Sequence, residues 1–185
     1  MNSIIIYASK YGCTEACVKQ LKALLEGDIT LCEINNEKNY DLSLYDKVII
    51  GGSVYIGRIN KKLKKFCLKN LNLLVNKKVG LFITCLKEDA EAFQQIITNY
   101  PQELIDIAIT KDYFGGEIIN SKLGFFDRLI TNMVSKSPEL SFPKPDENNN
   151  VILVKPDHPL NKITPRWVLK GIRKHPQKRV LGLRI

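Results

Sequence analysis

Three stretches of this chain are apolar at consecutive positions rather than at alternate ones. They are SIIIYA at 3–8 and the centres of DKVIIGGS at 46–53 and KKVGLFIT at 77–84. Successive side chains of a strand point to opposite faces, so a strand without a wet face reads as an unbroken apolar run. The three runs therefore predict strands covered on both sides. DITLCEI (28–34) and KDYFGGEI (111–118) read as two further strands. Between these runs the period changes. From Thr14 to Glu26, Val18, Leu21 and Leu25 recur at helical spacing. In NKKLKKFCLKNLNLLV (60–75), Leu63, Phe66, Cys67, Leu71 and Leu74 fall on one helical face with lysines opposite. Helices are also expected at about 88–98 and from Gly124 to Lys136, where Phe125, Phe126, Leu129, Ile130, Met133 and Val134 form a broad apolar face. Strands alternating with helices imply right-handed crossovers and an open, mostly parallel sheet between two helical layers, an α/β three-layer sandwich.

The 185 residues suit one domain with a substantial core. The composition shifts near residue 138. Seven of the eight prolines, both histidines and the single tryptophan follow it. We read 1–137 as the compact domain, and 138–185 as a Pro-rich linker followed by a basic extension. Charge divides the same way: residues 1–150 carry 19 basic and 18 acidic side chains, whereas 151–185 carry nine and one. The overall +9 is thus mostly the tail's. Such a tail could contact an anionic membrane face, with nucleic acid not expected, but Pro156, Pro159, Pro165 and Pro176 interrupt any long amphipathic helix and a disordered or loosely packed extension is the plainer reading. With no run of about 18 apolar residues and no signal-peptide pattern, a cytoplasmic protein is expected. The cysteines at 13, 17, 32, 67 and 85 are odd in number and form no C-x-x-C pair, so they read as reduced thiols. His158 and His175 have no metal-binding spacing around them, and no metal site is expected.

In an open parallel sheet, ligands bind beyond the carboxyl ends of the strands. Three loops leave those ends. The first, Ser9, Lys10, Tyr11, Gly12, Cys13 and Thr14, brings hydroxyls and one glycine to a helix N-terminus, where unpaired amides and the helix dipole favour an anion. It matches neither G-x-x-x-x-G-K-[ST] nor G-x-G-x-x-G, which excludes ordinary nucleoside triphosphate and dinucleotide sites; a phosphate monoester would fit. A plain strand-to-helix turn capped by Thr14 gives the same pattern. The second loop, Ser53, Val54, Tyr55, Ile56 and Gly57, offers an aromatic surface for a flat ligand and a glycine for unusual backbone geometry. The third, 84–89, offers Thr84, Cys85, Leu86 and backbone groups. Together they suit a phosphorylated planar cofactor with the shape of FMN. A C-x5-R phosphatase would need Arg at 19, which is Lys, and residues 1–137 contain no histidine for a Ser-His-Asp arrangement. No catalytic side chain is assigned.

Ser9, Gly12 and Thr14 match the pattern S/T-x-x-G-x-T of the flavodoxin-like superfamily. YDKVIIGGSVYIG (45–57), GGEI (115–118) and GFFDRLITNMV (124–134) resemble, more narrowly, the flavodoxin-domain family that includes the menaquinone-dependent protoporphyrinogen oxidases. The resemblance covers about 1–137 and implies a flavodoxin-like five-stranded parallel sheet of order 2-1-3-4-5. It also implies FMN held by 9–14, with its ring flanked by 53–57 and 84–89. The implied activity is an FMN-dependent oxidation of a porphyrinogen or another reduced substrate, with electrons passed to a quinone and peripheral membrane contact, as in haem biosynthesis. A flavodoxin-type electron carrier with a protein partner, and a non-redox module of the same fold, stand as alternatives.

Overall fold

The computed structural model describes residues 2–35, 40–87, 89–118 and 151–153. The expected helix at 124–136, the linker, and the basic tail except 151–153 lie outside the described residues. The main sheet consists of β1 (Asn2–Ala8), β2 (Asp28–Glu33), β3 (Lys47–Ser53), β4 (Lys78–Thr84) and β5 (Thr110–Phe114), all neighbours parallel, in the order β2-β1-β3-β4-β5. This is the α/β flavodoxin-like sheet order expected from the sequence. The connections are α1 (Cys13–Leu24), a 3-10 turn at Leu42–Leu44, α2 (Lys61–Lys69), α3 (Leu71–Leu74), α4 (Asp89–Asn99) and α5 (Gln102–Ile107).

The unbroken apolar runs behave as strand geometry requires. Ile4, Ile6, Ala8, Val48, Ile50, Val79, Leu81 and Ile83 pack with Leu63 and Cys67 of α2, Leu74 of α3, Ala92 and Ile96 of α4, and Leu104 of α5. The intervening Ile5, Tyr7, Ile49 and Phe82 pack with Cys17, Val18 and Leu21 of α1. Each central strand thus feeds two cores, and each fully buried Ile or Leu contributes about 1.5–3 kcal/mol of transfer free energy. No helix among the described residues is long and apolar enough to cross a membrane.

Two glycines that end the third apolar run serve this packing. Gly51 lies in register between Tyr7 and Phe82, and a Cβ on it would fall 2.0 Å from the Phe82 ring. The Phe82 ring packs against the bare backbone there and meets Phe114 at 5.1 Å between ring centroids. At Gly52 a Cβ would come 2.9 Å from Leu63, so its absence lets α2 approach the sheet.

Three elements depart from the sequence reading. The single helix expected over 60–75 is broken at Asn70, whose side-chain amide and backbone N–H both donate to the Phe66 carbonyl while its own carbonyl accepts from Leu73 and Leu74. Helix α5 was not expected. The fifth strand stops at Phe114, where Cys85 N–H takes its carbonyl at 3.2 Å. Beyond Gly115, β6 (Gly116–Ile118) pairs antiparallel with β7 (Val151–Leu153) in a separate two-stranded sheet. The GG pair allows that turn away: a Cβ at Gly116 would sit 2.8 Å from Leu86 and 2.9 Å from the Cys85 backbone.

Gly51→Ala is expected to lower stability by about 1–3 kcal/mol through overpacking, and Phe82→Leu in the same chain should recover part of that loss. Denaturation midpoints at an unchanged m-value report both effects. Alkaline pH supplies a second test. Burial pushes the Cys67 thiol from 9.0 up to about 12, and Tyr100 is raised by the same cause. The unfolded thiol ionises first, so stability is complete below pH 9.0 and is lost as pH rises toward about 12. Under reducing conditions, denaturation curves should show this decline, and Cys67→Ala should flatten it.

Candidate functional site

Strand β1 delivers the first loop at the carboxyl edge of the sheet. Ser9 Oγ accepts from the Gly12 N–H at 3.1 Å and from the Glu15 N–H at 3.4 Å, folding the loop back on itself. Gly12 is the N-cap of α1 at φ 96, a left-handed conformation that glycine adopts without a Cβ penalty. The expected cap, Thr14, is not the cap: it is fully buried, and its hydroxyl lies 2.8 Å from that of Thr84. Ser9 caps the helix from outside it. The hydroxyl inventory then decides what the loop can hold. Ser9 accepts twice and keeps its own proton to give, and the Thr14–Thr84 pair shares one proton and leaves the other to donate elsewhere. That second proton lies out of solvent with Thr14 and Thr84, so the Ser9 proton is the one that remains beside the helix N-terminus, where the first-turn amides favour an anion.

The second loop is a tight hairpin. Tyr55 N–H donates to Arg58 O at 2.9 Å and Arg58 N–H to Tyr55 O at 3.1 Å. Ile56 and Gly57 between them have φ 49 and φ 72, the sign pattern of a type I′ turn. A β-branched residue in that region is strained by about 1–3 kcal/mol, and the Ile56 side chain is exposed. What holds the turn is Asn99, at the end of α4. Its Oδ1 accepts from Ile59 N–H at 2.8 Å, and its Nδ2 donates to Gly57 O at 3.0 Å and to Gln95 O at 2.9 Å. Asn99 is 4% exposed, so these bonds are made out of water's reach.

The three loops meet. The Lys10 ammonium lies 3.7 Å from the centroid of the Tyr55 ring and 5.1 Å from that of Tyr11, and the two rings meet edge-on at 6.5 Å. A planar ligand therefore uses the other face of Tyr55 or displaces the ammonium. Thr14 joins the first loop to the third through Thr84, and Val54 N–H joins the second to the third by donating to Thr84 O at 2.8 Å. Ser53 closes β3 and is half-buried, as is Leu86. Cys13 is half-buried, with Sγ 3.9 Å from Gly115 O. The buried Cys85 thiol donates to Lys87 O at 3.3 Å, and burial pushes it up to about 11, which keeps it neutral.

A cleft of about 1010 Å³ opens beside the first two loops, reaching Ser9, Lys10, Ser53, Tyr55 and Gly57. It continues past Arg58 to the first turn of α2, and residues 84–86 do not line it. The sequence reading missed both Asn99 and this extension. Asn99 carries no local signal, because its role depends on partners about 40 residues away. The lysines of α2 were visible as charges but were read as the wet face of a helix, and Arg58 was left without a role at the end of the second loop.

The family model described as "Flavodoxin domain" matches residues 4–141. An archaeal flavodoxin structure superposes with a TM-score of 0.50 at 18% identity, over 74% of this chain and 98% of that one. Oxidised flavodoxin 1 from Bacillus cereus superposes with a TM-score of 0.50 at 15% identity, over 74% and 99% respectively. No curated protein matches the sequence. Sheet order, loop placement and family model agree, and the chain belongs to the flavodoxin domain family.

Proposed function

We propose that this protein is an FMN-dependent oxidoreductase of the protoporphyrinogen oxidase type, oxidising a porphyrinogen or similar reduced substrate and passing the electrons to a quinone. The observation that carries the cofactor is the meeting of three loops at one sheet edge, with the Ser9 hydroxyl proton uncommitted at a helix N-terminus. When bound, FMN would supply the two-electron redox chemistry that links such a substrate to a quinone. The chain supplies the rest. Ser9 and the first amides of α1 would hold the phosphate, and the buried Thr14–Thr84 pair would fix the loop behind them. Tyr11 and Tyr55 give the ring an aromatic wall. Gly57, with nothing within 4 Å of where a Cβ would stand, lets the ring approach the backbone. Asn99 fixes which way the Gly57 carbonyl faces.

The motif resemblance at 45–57 and 115–134 supports the enzyme reading over a carrier. Charge supports it too: carriers that dock on basic partners present an acidic field, and residues 1–150 sum to +1. A basic tail beside a quinone pool would add contact with an anionic membrane face. The exposed Ile56 at the tip of the second loop is the one feature that favours a docking carrier.

The reading is tested by adding FMN to purified protein, then assaying porphyrinogen oxidation with a menaquinone analogue. A flavin spectrum shifted on binding, with quinone-dependent turnover, is expected; flavin binding without turnover would leave the carrier. Ser9→Ala with Thr14→Ala should weaken FMN at least about tenfold while leaving riboflavin, which lacks the phosphate, nearly unaffected. Equal losses for both flavins would place the phosphate elsewhere. Asn99→Ala should shift the flavin midpoint potential by freeing the Gly57 carbonyl. An unchanged potential would remove that role from Asn99.

A further inference from the structure

We infer that the cleft running from Tyr55 to the first turn of α2 is a binding site for a small molecule bearing at least two anionic groups, held by Arg58, Lys61, Lys62 and Lys64. The inference rests on the oxidoreductase reading only in taking that molecule as the reduced substrate. From Lys47 to Lys87 the chain runs 41 residues without an Asp or Glu, and those residues carry nine lysines and Arg58. The near-zero sum over 1–150 hides this segment. The fold then gathers the charge: Lys10, Arg58, Lys61, Lys62 and Lys64 all line the cleft, and no Asp or Glu is among its described lining residues. Among the described residues, Arg58 and the three α2 lysines make no ion pair.

Folding does not account for this arrangement. Helices α1, α4 and α5 each place an acidic residue in the first turn, where it complements the helix dipole. In α2 the same turn holds Lys61, Lys62 and Lys64 and no acid, with Asn60 Oδ1 capping the Lys62 N–H at 2.8 Å. Cations at that end oppose the dipole. Lys61 and Lys64, three residues apart on one helix, also repel one another. An anionic ligand relieves both penalties, whereas apolar burial of Leu63 and Cys67 is what keeps the helix in place.

Concavity favours a small molecule: about 1010 Å³ is at the upper end of ordinary ligand cavities. Ser9 and Lys10 of the phosphate loop also line the cleft, but Arg58 and the α2 lysines belong to neither 9–14 nor 84–86. With its acidic groups on these cations, a ligand reaches Tyr55 and Gly57 with its uncharged part. It is thereby oriented rather than merely attracted.

The test uses the full chain loaded with FMN, titrated with mesoporphyrin (a dicarboxylate), its dimethyl ester and inorganic pyrophosphate. Arg58→Gln/Lys61→Gln/Lys62→Gln should weaken mesoporphyrin about tenfold or more and flatten its salt dependence, with FMN affinity unchanged. The control Lys22→Gln/Lys65→Gln/Lys69→Gln removes as much charge from exposed positions outside the cleft and should change little. Competition by pyrophosphate would mark a site that reads charge alone; failure to compete would mark one that reads spaced carboxylates; either supports a multiply anionic ligand. The inference is overturned if diacid and diester bind alike, or if the control loses as much as the cleft variant. Dianion binding in the cleft without porphyrinogen oxidation would sink the proposed reaction and leave the cleft standing. Oxidation that survives in the cleft variant with unchanged mesoporphyrin affinity would do the reverse.

Discussion

Two-sided burial of the central strands is the constraint from which the rest follows. Once β1, β3 and β4 have no wet face, helices must cover both sides, and loop residues are left to the two edges of the sheet. Parallel pairing puts the carboxyl ends of all five strands on the same edge. The loops after β1, β3 and β4 are therefore neighbours because the strands that feed them are. Phe82 lying on bare Gly51 lets β3 and β4 bury an aromatic ring between sheet and helix.

The site is held by polar contacts made behind it. Thr14 and Thr84 meet out of solvent and tie two loops by one proton. Asn99 spends its whole amide on a turn that would otherwise relax, since Ile56 occupies a backbone region that its side chain disfavours. Neither contact needs to touch a ligand to matter. Each removes freedom from a loop before binding, so less ordering remains to be done when a cofactor arrives.

Much of the fold was legible because its strongest signal, the unbroken apolar run, has few rival explanations. Ile4, Ile5 and Ile6 in succession, or Val48, Ile49 and Ile50, cannot all be buried against one layer. The errors fell where local pattern is ambiguous. Asn70 interrupts a helix whose apolar spacing continues across it, and α5 is too short for its period to declare itself. The GG at 115–116 reads as equally good strand or break until Leu86 is seen to occupy the space a Cβ would need. In the site, the loops were legible from their residue types, but the roles inside them were not: Ser9, not Thr14, does the capping. The charge on α2 was obscured by averaging over a longer segment.

The pairing of β6 with β7 separates two boundaries that are easily taken for one. The family match ends at residue 141, yet the partner of Gly116–Ile118 is supplied by Val151–Leu153. A shortened chain cut at the end of the match would leave β6 with a row of unanswered amides and carbonyls beside Leu86. Such an edge is a template for pairing with a second chain, so a fragment trimmed by similarity alone carries an invitation to self-association that the longer chain has already answered.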